Sequence, residues 1–387
     1  MKKTLKGLFS ILLAFSLVCS MGGFALANEE NPADCGLSFN NDGKFVILQF
    51  ADVQDDIFMR VATIMEMEYA LDTVKPDLVV FTGDNTTGQW TKITGRIAIE
   101  RLLAPVVERG IKFTLVFGNH DGERLSKEYQ LSVYQSFEGC LAYDPDHDIF
   151  GCANHNLEIK SSDLSKTAFN LWMIDSNMDS KTLDSYEPIN KSQLDWYRIT
   201  SERLEAENGG LVPSLVFQHI PVPQTYDLLL EAPEGTTEET REFNGKTYIK
   251  QLDPQRATGI LGEWPCVTKY SQNELTTFAE RGDVLGIVTG HDHNNNFIGN
   301  VDGIDLIQSP GIGFQAYGTR DRGYRVITLD ENNPWSYETY TVDFTDMFGE
   351  GPEADFIYNV YGGPFGIIVK AIFDFVKGLA GSLGFSL

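Results

Sequence analysis

Five times along this chain a short apolar run ends abruptly in a polar cluster: Ala51-Asp52-Val53-Gln54, Gly83-Asp84-Asn85, Gly118-Asn119-His120-Asp121, Gln218-His219-Ile220-Pro221 and Gly290-His291-Asp292-His293. The runs before them, residues 45–50, 78–81, 113–117, 215–217 and 284–289, are rich in β-branched and aromatic residues and read as buried strands, as does a further run at 169–174. Segments of helical period lie between them, roughly residues 60–74, 93–109, 125–137 and 192–205. Repetition of strand, helix and strand predicts an α/β fold of right-handed βαβ units with largely parallel strands. Ligands bind at the carboxyl ends of strands in such sheets, so the five clusters should converge. After His293 the pattern shifts to closely spaced strands, residues 297–301, 304–309, 324–329 and 339–342, and predicts a second, more antiparallel sheet portion.

The ends of the chain set its boundaries. Lys2, Lys3 and Lys6 precede an apolar run from Leu8 to Val18, followed by Ala25-Leu26-Ala27. That pattern predicts a secretory signal peptide over residues 1–27, cleaved near Ala27, and hence a secreted protein. The run is too short for a transmembrane span. Residues 28–345 then form one domain, with insertions expected near 138–166 and 222–270 that build substrate walls. Residues 346–387 form a tail in which Ile368, Ile372, Phe375, Val376 and Leu379 share one helical face and Lys370, Asp374 and Lys377 the other. This amphipathic helix either docks on its own domain or touches a membrane surface or a partner.

The formal charge is −25, and removal of the three leader lysines takes it to −28. Such a field repels polyanions, arguing against a nucleic-acid polymer as partner and for small substrates. Of five cysteines, Cys19 leaves with the leader; Cys35, Cys140, Cys152 and Cys266 remain for an oxidising compartment. Cys140–Cys152, flanking one loop, is the favoured disulfide, although spacing does not fix the connectivity.

Four of the six histidines, His120, His219, His291 and His293, fall inside the clusters; only His147 and His155 lie elsewhere. Structural histidines would not concentrate at successive strand ends, whereas metal ligands would. The ordered set D-x-Q, GD-N, GNHD, an isolated His after a strand and GHDH, running from Asp52 to His293, resembles the calcineurin-like metallophosphoesterase family in its purple-acid-phosphatase-like branch. The resemblance implies a four-layer α/β/β/α sandwich of two mixed sheets. It also implies two divalent or trivalent metal ions (Mn, Fe or Zn), one held by Asp52, Gln54, Asp84 and His293, the other by Asp84, Asn119, His219 and His291, with Asp84 bridging. The implied reaction is hydrolysis of phosphate monoesters or diesters of small molecules by a metal-bound hydroxide. His120 would stand beside the metals to stabilise the transition state or protonate the leaving oxygen, with Asp121 as its orienting acceptor.

Two positions depart from the family pattern. Gln54 stands where the family usually has histidine, which weakens the first site or shifts it towards harder cations. Thr87 stands where purple acid phosphatases carry a ligating tyrosine. Substrate contacts are expected from Asn85 and from Arg320, in a Gly-rich segment that also holds Gln315, Tyr317 and Arg325. Two other functions stay open: a nucleotidase or nuclease of the same fold, and a binding protein that has lost a competent metal site, with Gln54 as the lesion.

Overall fold

The computed structural model describes residues 35–382, apart from residues 88, 146, 147 and 272. The leader, Cys19 and His147 lie outside the described residues. In chain order the elements begin with β1 (Leu37–Ser38), β2 (Lys44–Phe50), α1 (Val61–Val74), β3 (Leu78–Thr82), α2 (Lys92–Val107), β4 (Phe113–Val116) and α3 (Lys127–Tyr134). Next come β5 (His155–Lys160), β6 (Thr167–Met173), α4 (Lys191–Asn208), β7 (Ser214–Phe217), β8 (Leu229–Glu231), β9 (Thr240–Phe243), β10 (Lys246–Leu252) and β11 (Ala257–Leu261). The rest comprises α5 (Glu274–Arg281), β12 (Val284–Thr289), β13 (Asn295–Val301), β14 (Ile304–Gln308), β15 (Gly323–Asp330), β16 (Tyr337–Asp343), α6 (Phe344–Phe348), α7 (Pro352–Phe356) and α8 (Gly366–Ser382).

Strand alternation decides the layering. In β2, Phe45 and Ile47 face one way while Leu48 and Phe50 face the other; in β3, Leu78 and Val80 oppose Val79 and Phe81. One set meets Leu215 and Phe217 of β7 and Phe169, Leu171 and Met173 of β6, forming an apolar layer between two sheets. The other set packs under α1 and α2. On the far side, Trp172, Val216 and Ile287 pack against Leu194, Tyr197 and Leu204 of α4 and Phe278 of α5. The result is helices, sheet, sheet and helices: a five-stranded sheet ordered β16-β15-β2-β3-β4 against an eight-stranded one ordered β1-β5-β6-β7-β12-β14-β13-β11. Both are mixed; β2, β3 and β4 are parallel neighbours, as are β6, β7, β12 and β14, while β15 and β13 run antiparallel to theirs.

The strands after His293 therefore form no separate sheet portion. β13 and β14 extend the large sheet, whereas β15 and β16 close the small one beside β2. Arg325 of β15 is buried at that junction, bonded to Ser309 Oγ, Asn296 Oδ1, Thr339 Oγ1 and the Gln308 carbonyl. Residues 155–160, expected inside an insertion, are β5 of the large sheet, and β11 likewise joins that sheet from the second insertion.

The favoured Cys140–Cys152 disulfide is absent: Cys35, Cys140, Cys152 and Cys266 are all free thiols. The two cysteines are anchored to different neighbours. Cys140 bridges the edge of β4 at Phe113. The Cys152 amide donates to the Asp175 carboxylate (2.9 Å), itself paired with the buried Lys127 (2.7 Å). Burial pushes the Cys140 thiol up to about 12.

Beyond β16, Phe344, Ala354 and Ile357 pack against Ala62 of α1. α8 follows, tied back where Phe373 meets Phe356 edge-on (5.9 Å), but Phe365, Ile368, Ile372 and Phe375 remain exposed. No described helix is long and apolar enough to cross a membrane.

His155 is a structural histidine. Its Nδ1 donates to the Ala153 carbonyl (2.7 Å) and its Nε2 meets Thr114 Oγ1 of β4 (2.7 Å), linking the two sheets. Burial pushes the ring down to about 4. The unfolded ring titrates near ~6.5, so on acidification the unfolded chain binds a proton that the fold refuses, and stability drains away below that pH. His155→Asn should be less stable than the native chain at neutral pH, with the gap narrowing by roughly 2–3 kcal/mol by about pH 4.5 in urea titrations. A gap independent of pH would contradict this role.

Candidate metal centre

Three of the five polar clusters leave their strands through left-handed backbone. Asp52, Gln54, Asp84 and His291 adopt positive φ (52°, 43°, 47° and 76°), which swings their side chains out of the sheet plane. The loops then press so closely that several glycines have no room for a Cβ. At Gly118 it would strike the Asp84 carboxylate, and at Gly290 it would lie 2.5 Å from Asp52 Oδ2.

The side chains converge. Asp84, His219 and His291 each offer a ligand atom within 4.8 Å of the others. His219 Nε2 lies 3.3 Å from Asp84 Oδ2, 3.1 Å from Asn119 Oδ1 and 3.2 Å from His291 Nδ1. On the other side of Asp84, His293 Nε2 is 3.4 Å from Asp52 Oδ1, and Gln54 Nε2 donates to Asp84 Oδ2 (3.3 Å). Both outer histidines are fixed from behind: His219 Nδ1 donates to the Thr82 carbonyl (2.9 Å) and His293 Nδ1 to the Tyr317 carbonyl (3.0 Å), which aims each Nε2 inward. The Tyr317 ring also stacks flat on His293 at 4.2 Å.

This donor set fits cations. Asp52 Oδ1 and His291 Nε2 are buried and have no hydrogen-bond partner. Burial opposes a charge on His219, yet the Asp84 and Asp52 carboxylates outweigh it and lift the ring to about 9. Burial and then the charge on His219 drive His291 down to about 3. Positive charge is thus demanded at the centre of the cluster. Asp52, Gln54, Asp84 and His293 could hold one ion, and Asp84, Asn119, His219 and His291 a second; carboxylate, imidazole and amide oxygen suit Mn, Fe or Zn.

His120 stands at the rim with its side chain 43% exposed, its Nε2 4.0 Å from Asp84 Oδ2 and its backbone N–H on Asp84 Oδ1 (2.8 Å). Asp121 does not orient it. That carboxylate is buried and accepts the backbone N–H groups of Gly118, Asn85 and Thr86 (2.8, 3.0 and 3.1 Å), tying the loop after β4 to the loop after β3. The residue on His120 is Glu123, whose Oε1 accepts from Nδ1 at 2.7 Å. It went unnoticed in the sequence, although an acid three residues after His120 in a turn was a usable signal. Asn85 does not line the cavity either: it is buried, its Nδ2 donating to the Val116 carbonyl and Asp121. Arg320 turns away, paired with Asp355 (2.5 Å) and lying over Phe344 and Tyr358.

The cluster floors an open cavity of about 790 Å³. Thr87, Tyr186, Gln315 and Tyr317 form part of its wall, and the insertion contributes Glu239, Arg241, Lys250, Glu263 and Trp264. Sequence reading missed Arg241 and Lys250, although Asn244-Gly245 between alternating residues is a strong hairpin signal.

Residues 45–295 match the profile of the calcineurin-like phosphoesterase family. The chain belongs to that family, whose fold and metal-dependent phosphoester chemistry agree with the layers and donor set described above. Among curated proteins it is similar to "Probable inactive purple acid phosphatase 14" of Arabidopsis thaliana, 30% identical over 83% of each chain. "Probable inactive purple acid phosphatase 29" of the same plant is 28% identical over 84% of this chain and 85% of that one. "Phosphatase DCR2" of Saccharomyces cerevisiae is 28% identical over 69% of this chain and 47% of that one. Among solved structures, a dimetal phosphatase from Danio rerio aligns with 77% of this chain and 98% of its own, at 14% identity and a TM-score of 0.46.

Asp121→Asn replaces one acceptor oxygen in a three-donor cradle with a donor, and should weaken metal binding by about 10–100-fold in chelator competition. Glu123→Gln, outside the ligand set, should leave metal affinity unchanged. Equal affinities in both variants would refute the division of labour between the two acids.

Proposed function

We propose that this chain is an exported phosphoesterase that uses two metal ions to hydrolyse phosphate monoesters or diesters of small molecules. The observation that carries the proposal is the convergence of Asp84, Asn119, His291 and His293 on the floor of an open cavity, with Asp52 and His219 buried just behind them, orphaned atoms included, and His120 at the rim. Bound ions would polarise the phosphoryl oxygens and lower the pKa of a coordinated water towards neutrality. The protein supplies the rest. Carbonyl-fixed His219 and His293 hold their ring orientation, Asp84 is shared between the two ligand groups, and a half-turn of the Gln54 amide presents its oxygen instead of its N–H. Glu123 fixes His120 through Nδ1, which leaves Nε2 to hold a proton for the departing oxygen or to bond a phosphoryl oxygen. Export rests on the leader pattern over residues 1–27.

The rival reading is a metal-binding domain without turnover. It is favoured by Gln54 in place of histidine and by the words "probable inactive" in the names of two relatives. Hydrolysis of p-nitrophenyl phosphate and bis(p-nitrophenyl) phosphate by mature protein, metal-free and loaded with Mn, Zn or Fe, separates the two. Metal-dependent turnover is expected, abolished together with metal content in Asp84→Ala. In His120→Ala kcat should fall about 10²–10⁴-fold with metal content intact. No turnover of either ester under any loading by folded, metal-replete protein would establish the rival; the ratio of the two rates identifies the ester class.

A further inference from the structure

We infer that the hairpin of the second insertion carries an oxyanion subsite facing the metal centre, made by Arg241 and Lys250, so that the preferred substrates are phosphoesters bearing a second anionic group. This deepens the phosphoesterase reading and rests on it. β9 and β10 pair antiparallel with Arg241 opposite Tyr248, and Lys250 lies two residues beyond Tyr248. Cross-strand partners, and residues two apart, share a face, so both cations project from the same side of the hairpin. That side is held down by Tyr226, which stacks on Phe243 (4.2 Å) and meets Tyr248 edge-on (5.4 Å), and its two cations reach the cavity wall.

Their charges are unspent. Lys246 on the same hairpin is neutralised by Glu231 (2.6 Å), but among the described residues no carboxylate lies within ion-pair distance of Arg241 or Lys250. The Arg241 guanidinium lies over the Trp264 ring at 5.1 Å, and Lys250 Nζ donates only to the Gly262 carbonyl (3.0 Å). Neither wall glutamate pairs with them. Glu239 accepts the Trp264 indole N–H (2.9 Å), and Glu263 accepts the Asn294 backbone N–H and the Tyr317 hydroxyl (2.8 and 2.9 Å). In a chain with 55 acidic and 30 basic residues, two unpaired cations above a phosphate-processing floor are the reverse of what the average field provides. They place two positive groups at the cavity wall in a protein whose overall charge repels anions. The cavity, at about 790 Å³, also holds far more than one phosphoryl group, which leaves room for a spacer reaching from floor to wall. Arg241 offers the planar fork that matches a carboxylate or phosphate, and Lys250 a point charge beside it.

The test uses non-hydrolysable probes on the metal-loaded full mature chain. Affinities by calorimetry are compared across alkylphosphonates, ω-carboxyalkylphosphonates and α,ω-bisphosphonoalkanes of matched, increasing length. Two-headed probes should exceed their single-headed counterparts by at least about tenfold at one preferred length, the worth of one charge-assisted contact. The carboxylate and phosphonate series tell which oxyanion is favoured. In Arg241→Gln/Lys250→Gln, with unchanged thermal unfolding, the two-headed to single-headed ratio should fall to about one. A ratio near one in the native chain at every length, or a high ratio that survives the double substitution, overturns the subsite. Failure of the native metal-loaded chain to bind even the simple alkylphosphonates would instead reject the phosphoesterase reading, and the subsite with it.

Discussion

Two carboxylates taken out of water at the meeting line of two sheets govern the rest of this molecule. Asp52 and Asp84 are buried at the ends of adjacent parallel strands, where an isolated charge would be prohibitive. Each is held on one oxygen by a loop from another strand: Asp52 Oδ2 accepts the His291 backbone N–H (2.9 Å), and Asp84 Oδ1 that of His120. The same carboxylates that call for cations through Asp52 Oδ1 and Asp84 Oδ2 therefore also pin, through their other oxygens, the loops that deliver His291 and His120. Gly118 and Gly290 are required because those loops sit directly on the carboxylates. Below the site the seam stays polar, with Gln49 joining Thr82 of the small sheet to the Thr289 carbonyl and Ser309 on the large one. The two halves of the fold are thereby registered immediately beneath the site.

Much of this was legible in the sequence because parallel buried strands announce themselves as continuous apolar runs. The run at 45–50 became Lys44–Phe50 and that at 284–289 became Val284–Thr289 without adjustment beyond a residue. β5 escaped because its outer face is polar: only Leu157 and Ile159 point to the apolar layer, while Asn156 bonds Asn170 and Glu158 is neutralised by Lys160 and Arg203. A strand buried through polar pairing has no periodic apolar signal. α5 was missed as well. The allocation of β13 to β16 between two sheets could not be read locally at all, since it depends on which exposed edge each strand meets.

At the site, residue type and order were enough to gather the metal-ligand candidates, but not to assign the polar residues around them. Asn85, Asp121 and Arg320 looked like functional groups because their side chains are capable of function. Their neighbours decide otherwise, through backbone amides for Asp121 and the partner Asp355 for Arg320. Conversely Glu123, Tyr317, Arg241 and Lys250 gain meaning only from what faces them. Hydrogen-bond partners across the fold, rather than chemical capability, separated the two groups.

The left-handed backbone at Asp52, Gln54, Asp84 and His291 carries an implication for descent. A non-glycine residue in that region costs on the order of 1 kcal/mol, and two of the four, Asp52 and Asp84, are also buried carboxylates. Asparagine or glycine at those positions would relieve both the steric and the electrostatic penalty, while removing a ligand. Selection for stability alone thus pushes such a scaffold away from its chemistry, and a lineage released from its reaction would keep the fold and shed the metals first. Silent descendants that remain well folded are the outcome this architecture makes easiest.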